Sequence, residues 1–236
     1  KADEAPFSDA NLQPEPHPRG ELSMPHAGLL AIRREHWLAL IKGYSRYVKF
    51  GEIYANNNRF GRYLSHGYLD ILAGGNPVTR EDSGCTAPGW DWNRLDGTTV
   101  VVLPTGKLRA VRKGTESVPT DETFCGAAVS NSGDAVFGLV LHGAKRHDET
   151  FRARKSYHWL PHRGMIVCLG SGIACDDPDH PVQTTLFQKA LASPEQPIAV
   201  NGRAWTGLED RRTLDPDRGS LLIDTQKTGY LVPTGQ

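Results

Sequence analysis

The sequence predicts an all-β fold, antiparallel β-sheets stacked as a sandwich. Three observations predict it. From residue 29 onward, short segments rich in β-branched, aliphatic and aromatic residues recur, each closed by Gly, Pro, Asn or Asp. Twenty-five glycines and sixteen prolines interrupt the chain too often for long helices. The stretch that looks most helical, REHWLALIKGYSRYV, carries Gly43, β-branched and aromatic residues beyond it and no caps, so it is read as strand.

Taken in order, residues 1–26 hold five prolines and no sustained periodicity, and are read as a linker or an extended arm over a surface. Residues 27–236 are read as one β-sandwich domain. Its candidate strands are 37–41, 98–103, 135–142, 156–160, 165–169, 184–191, 198–201, 220–224 and 229–232. No repeat of fixed period and no low-complexity tract interrupts them.

Charge excludes some partners. Lys+Arg and Asp+Glu stand at 27 each, so the chain lacks the basic surplus that nucleic acid or an anionic membrane requires as main partner. No apolar run approaches the roughly 20 residues of a membrane span. The chain opens on Lys1 rather than Met, as a processed or excised piece would. Cys85, Cys125, Cys168 and Cys175 have no metal-site spacing; Cys168, inside the apolar run MIVCL, is expected to be a buried free thiol. The pairing of Cys85 with Cys125, and the disulfide state generally, stay open at this point.

Several motifs have plain readings. The G-x-G of CLGSGIAC is expected to be a turn after a strand rather than a phosphate loop. The acidic DDPDH run at 176–180 suits a solvated turn better than a calcium loop, because one such run rarely supplies six oxygens. In GWDWNRLDGTT, Trp90 and Trp92 would share one face of a strand, as core or as a stacking platform for sugar rings.

The stretch GEIYANNNRFGRYLSHGYLDIL is the most polar concentration in the chain. Asn56, Asn57 and Asn58 offer donors and acceptors, Arg59 and the nearby Arg46 offer planar donor forks, and Glu52 adds a carboxylate. That mixture suits a hydroxyl-rich anionic chain. It also suits a solvated hairpin loop.

Four blocks, IKGYSRYVKFGEIYANNNRFGRYLSHGYLDIL, GWDWNRLDGTTVVVLP, RARKSYHWLPHRGMIVCLGSGIACDD and QTTLFQ, resemble in order the β-sandwich part of family 8 polysaccharide lyases, chondroitin sulfate ABC branch. VNGRAWTG resembles the family's continuation. The resemblance implies β-elimination of a glycosaminoglycan, with most catalytic residues on a helical toroid domain. It implies a sandwich glutamate that orders the catalytic arginine and tyrosine, within an R…E…N-x-N pattern falling on Arg46, Glu52 and Asn56, Asn57 and Asn58. Arg59, Trp90 and Trp92 complete the expected substrate contacts. Tyr63, His66 and Tyr68 lie beyond that pattern and are given no proton-transfer role.

The implied partners are an acidic polysaccharide and a helical catalytic domain of the same enzyme, and the implied setting is secreted or periplasmic in a bacterium. No cofactor is expected for the chemistry, and a structural calcium is left open. The rival expectation is a carbohydrate-binding β-sandwich without catalysis. Relatives usually carry an acidic turn where this chain has Pro161, His162 and Arg163.

Overall fold

The computed structural model describes residue 16 and residues 18–49, 53–54, 59–110, 115–116, 120–143, 149–207 and 211–235. In chain order its strands are β1 (Gly20–Met24), β2 (Leu29–Arg33), β3 (Leu38–Lys42), β4 (Ile53–Tyr54), β5 (Tyr68–Leu72), β6 (Thr99–Val101), β7 (Thr115–Glu116) and β8 (Cys125–Val129). They continue as β9 (Ala135–His142), β10 (Arg152–Leu160), β11 (Met165–Ala174), β12 (Val182–Thr184), β13 (Ile198–Val200), β14 (Arg203–Trp205), β15 (Ser220–Ile223) and β16 (Gly229–Val232). Among the described residues, α-helix is one turn, α1 (Thr105–Leu108). The all-β expectation holds.

Two four-stranded antiparallel sheets, β1-β2-β3-β5 and β11-β10-β9-β8, carry the main core. A third sheet, β14-β13-β15-β16, and two short pairs, β12-β6 and β4-β7, complete the set. Side chains alternate across a strand, so every second residue of LLAIR and LALIK points inward: Leu30 and Ile32 on β2, Ala39 and Ile41 on β3. Phe137, Leu139 and Leu141 on β9 meet them, with Ala153, Tyr157 and Trp159 on β10. Each large apolar side chain so buried contributes about 1.5–3 kcal/mol. β1 and β2 pack on β8, which stacks one sheet on the other as a sandwich.

Four expectations are corrected. Gly20–Met24, inside the span read as an arm, is the edge strand of the first sheet, pairing with β2 from Gly20↔Arg33 to Met24↔Leu29. The Gly-Ser-Gly of CLGSGIAC lies within β11, not in a turn after it. Arg152 pairs Ala174 while Arg154 pairs Ser171, so one extra residue bulges from β11, and Gly172 takes the left-handed conformation that this bulge requires, at φ 58. Of 184–191 only Thr184 is in strand; β12 stops there, and beyond it Gln188 N–H and the Lys189 ammonium both go to Asp96 instead of to a neighbouring strand. Cys168 is exposed rather than buried, since MIVCL forms an edge strand with one face open to solvent. All four cysteines are free.

Candidate functional site

β3 delivers the polar region. Its last strand residue, Lys42, is followed by Gly43, whose N–H bonds the Gly28 carbonyl at 2.9 Å. A Cβ on Gly43 would lie 2.8 Å from Cys125 Sγ and 2.9 Å from Phe137 Cζ, so only glycine lets β3 leave the sheet this close to β8 and β9. Tyr44 and Ser45 stay buried, and a tight turn follows. Ser45 N–H bonds the Val48 carbonyl at 3.0 Å, Val48 N–H returns to Ser45 at 3.2 Å, and Tyr47 N–H bonds Ser45 Oγ at 3.2 Å.

That turn pushes Arg46 and Tyr47 into solvent. The Arg46 backbone is pinned by a 2.7 Å bond from its N–H to the Glu122 carbonyl, while its guanidinium lies 5.5 Å from the centre of the Tyr47 ring. Tyr47 is 75% exposed, the most exposed large hydrophobic side chain among the described residues. An exposed guanidinium beside an open aromatic ring can donate to a carboxylate or sulfate. Of the residues singled out in the sequence, Arg46 lies on this exposed turn; Tyr47 beside it carried no sequence signal beyond adjacency to Arg46.

Glu52, Asn56, Asn57 and Asn58 lie outside the described residues. Arg59 is half-buried and occupied: its Nη2 donates to the Ala110 carbonyl at 2.6 Å, and Ala110 N–H returns to the Arg59 carbonyl at 2.8 Å. Its guanidinium holds two chain segments together.

Beyond Arg59 the polar residues turn inward. Arg62, Tyr63, Ser65 and His66 are all buried. Tyr63 Oη donates to the Val101 carbonyl at 2.7 Å, and the His66 ring lies between Tyr44 at 5.4 Å and Tyr63 at 5.0 Å. Tyr68, also buried, receives a 3.2 Å bond from Arg80 Nη2, and burial pushes its hydroxyl up to about 12. These side chains form a polar floor rather than a solvent-facing acid–base dyad.

Trp90 and Trp92 sit in a run of turns, not on a strand, and pack half-buried against the core. Side-chain clamps fix this run. Asp91 N–H bonds Gln188 Oε1 at 2.7 Å, and Asn93 makes a reciprocal pair of 3.0 Å bonds with Leu103. No ring contact or hydrogen bond joins either tryptophan to Arg46 or Arg59 among the described residues.

The run at 176–180 is a turn closed on itself. Asp179 N–H bonds Asp177 Oδ1 at 2.9 Å, and His180 Nδ1 lies 2.6 Å from Asp177 Oδ2. Among the described residues no group of three or more His, Cys, Asp or Glu side chains could hold a metal ion. No described helix is long and apolar enough to cross a membrane.

Stacked antiparallel sheets with an arginine-bearing loop at the exit of β3 define the chain as a β-sandwich domain. Residues 27–236 match polysaccharide lyase family 8, super-sandwich domain, and the chain belongs to that family. Among its relatives are a chondroitin sulfate ABC exolyase of Bacteroides thetaiotaomicron, 38% identical over 93% of this chain, and one of Proteus vulgaris, 36% identical over 95%. The chain spans only 21% and 23% of their lengths. Among solved structures, the chondroitin AC lyase of Streptomyces coelicolor A3 in complex with chondroitin sulphate superposes with a TM-score of 0.64 at 25% identity, covering 97% of this chain and 27% of that one.

Proposed function

We propose that this chain is the β-sandwich part of a lyase that cleaves chondroitin- or dermatan-type glycosaminoglycans by β-elimination. The observation that supports it is the 38% identity, across 93% of the chain, to a chondroitin sulfate ABC exolyase. In the reaction a base takes the proton at C5 of the uronate. The C4–O bond to the leaving sugar breaks, that oxygen receives a proton, and a C4=C5 double bond remains. The C5 proton is weakly acidic, so the site must neutralise the uronate carboxylate and the enolate-like charge that develops.

In this reading the sandwich closes one wall of the cleft and a helical domain of the same enzyme carries the proton-transfer groups. Arg46, with Tyr47 against it, grips the acidic chain. Glu52 orders the catalytic arginine and tyrosine, and Asn56, Asn57 and Asn58 meet sugar hydroxyls. Arg59 supports the wall from behind through Ala110. The tryptophans at 90 and 92 support the fold beside it. The reaction consumes no cofactor, because proton removal and C–O cleavage leave no net redox change. An enzyme acting on such polymers works outside the cytoplasm, so export to the periplasm or medium belongs to the proposal.

The test supplies chondroitin sulfate, dermatan sulfate and hyaluronan to the full-length protein. Ultraviolet absorbance of the unsaturated uronate then reports turnover. Product from a sulfated substrate is expected. Retention of the polymer with no product would instead make the chain a carbohydrate-binding module.

A further inference from the structure

The chain holds a thiol and a buried ammonium side by side, away from Arg46 and its turn. Residues 79–85 fold into a compact turn: Ser83 N–H bonds the Thr79 carbonyl at 3.2 Å, and Cys85 N–H bonds the Arg80 carbonyl at 2.9 Å. Lys189 lies 104 residues beyond Cys85, yet its segment runs against this turn. The Ala190 N–H bonds the Gly84 carbonyl at 2.8 Å, and Lys189 Nζ comes to 3.8 Å from Cys85 Sγ.

The Lys189 side chain is 2% exposed, so its ammonium cannot turn to water. Its three N–H donors face three acceptors: the Ile71 carbonyl at 3.1 Å, Asp96 Oδ2 at 3.3 Å and the Cys85 sulfur. Cys85 is a free, half-buried thiol, within reach of a molecule as small as a peroxide. Its sulfur otherwise meets Asp70 Oδ1 at 3.7 Å and the Ser83 carbonyl at 3.8 Å. Among the described residues, then, the nucleophile beside this sulfur is an amine and not a second thiol.

We propose that Cys85 and Lys189 form a redox-made staple: a peroxide oxidises the thiol, and the lysine nitrogen condenses with it into a sulfur–nitrogen bond. The first step breaks the peroxide O–O bond. Two electrons pass from sulfur to oxygen, the sulfur keeps a hydroxyl and one water leaves. In the second step Lys189 Nζ hands a proton to Asp96 Oδ2 and attacks the sulfur. The S–N bond forms as the S–O bond breaks, and the hydroxyl departs as water with a second proton from nitrogen. Burial pushes the Asp96 carboxyl up to about 6, which suits it to hold the first proton. An external thiol reverses the change and is itself oxidised to a disulfide. The staple ties the turn at 79–85 to the segment carrying Phe187, whose ring stacks 4.6 Å from that of Tyr230 on β16. Oxidation thus fixes the seat of the third sheet and closes a long loop in the unfolded chain.

The test exposes the full-length protein to hydrogen peroxide, alkylates the remaining thiols and reads the digest by mass spectrometry. A peptide joining 85 to 189 is expected, lighter than its two parts by two hydrogen atoms, and dithiothreitol should split it. The urea midpoint should rise by roughly 1 M or more on oxidation and return on reduction. Cys85→Ser keeps Cys125, Cys168 and Cys175 and should show neither the joined peptide nor the rise. If that variant melts early, Cys85→Ala takes its place. Cys85 recovered as a thiol, a sulfinic acid or a disulfide, with Lys189 unmodified, overturns the proposal. So does a joined peptide that leaves the urea midpoint where it was.

Discussion

Lys189 Nζ lies 3.3 Å from Asp96 Oδ2, and both side chains are almost wholly enclosed, 2% and 3% exposed. The pair ties three segments together: Lys189 also donates to the Ile71 carbonyl at 3.1 Å, and Asp96 Oδ1 accepts Gln188 N–H at 2.7 Å. Beside it a second acid, Asp70, pairs with Arg80, and a third, Asp224, accepts Tyr230 Oη at 3.1 Å. Burial pushes the Asp96 carboxyl up to about 6 from 3.8, with Lys189 opposing the push. A raised native pKa means that the folded chain holds the proton more tightly than the unfolded chain. The resulting stability is complete below the unfolded value and is lost as pH rises through about 6. The urea midpoint should therefore fall from pH 4 to pH 7, and Asp96→Asn should flatten that fall. A midpoint that climbs over the same range, with no change in Asp96→Asn, would contradict this assignment.

Removing the lysine alone should be far worse than removing both charges. Lys189→Met at pH 7 leaves a buried carboxylate without its counter-charge, a loss of about 3–5 kcal/mol. Adding Asp96→Asn should restore most of it, because a neutral amide needs no counter-charge there. Urea titrations of the two singles and the double give the coupling; additivity would mean that the two charges act independently.

Lys155 predicts the opposite sign. It is 6% exposed on β10, donates to the Gly97 carbonyl, and burial pulls its ammonium down to about 8 from 10.5. A lowered native pKa means that the unfolded chain binds more protons between those values, so stability from this group rises with pH until it passes 10.5. Lys155→Met should stabilise the protein at pH 7 by up to about 3 kcal/mol. The Gly97 carbonyl keeps a 3.2 Å bond from Tyr157 Oη in that variant. Differential scanning calorimetry decides it, and a lowered melting temperature would show that the charged lysine is needed.

Glu21 joins the edge strand β1 to the opposite sheet. Its Oε1 accepts the Trp159 indole N–H at 2.7 Å and pairs with Arg34, whose guanidinium lies 5.0 Å from the centre of the Trp159 ring. Glu21→Ala strands a buried indole N–H and a half-shielded guanidinium and should cost about 3 kcal/mol, whereas Glu21→Gln keeps an acceptor and should cost about 1 kcal/mol. Equal losses in urea unfolding would mean that Trp159 finds another acceptor.

Steady-state kinetics of the full-length enzyme should separate three residues of the proposed cleft wall. Arg46→Ala should lower kcat/KM by roughly tenfold or more, the worth of one charged hydrogen bond. Glu52→Gln should bind substrate and lose about two to four decades of kcat. Arg59→Ala should appear in the melting temperature rather than in turnover, because its guanidinium serves the Ala110 carbonyl. Full turnover in Glu52→Gln would take that residue out of the mechanism.

Strands with strong alternation were legible in the sequence. AVFGLVLH at 135–142 and GYLV at 229–232 begin and end in the structure where their patterns do. LALIK was displaced by one residue. GELSM was not legible, because Leu22 at 55% and Met24 at 37% exposure face solvent; backbone pairing to β2 holds this edge strand more than side-chain burial does. The bulge at Gly172 was hidden for a similar reason: Gly-Ser-Gly carries no apolar pattern to mark a continuing strand. In the polar stretch, nothing in the sequence distinguished the exposed Arg46 from the buried Arg62. The burial of Arg62, Tyr63, Ser65 and His66 was not legible, since it depends on distant partners such as the Val101 carbonyl.

The order of the second sheet bears on how quickly the molecule assembles. β8, β9, β10 and β11 are neighbours in the chain and in space, so each pairing closes only a short loop. β6 meets β12 only when Thr99 finds Thr184, a far longer closure whose entropy is lost before any contact rewards it. The meander is therefore the natural nucleus and the β6–β12 pair a late lock. Phe137→Leu should slow refolding, while Val100→Ala should chiefly hasten unfolding, a division that stopped-flow chevrons resolve. The reverse pattern would place the nucleus at the long-range pair.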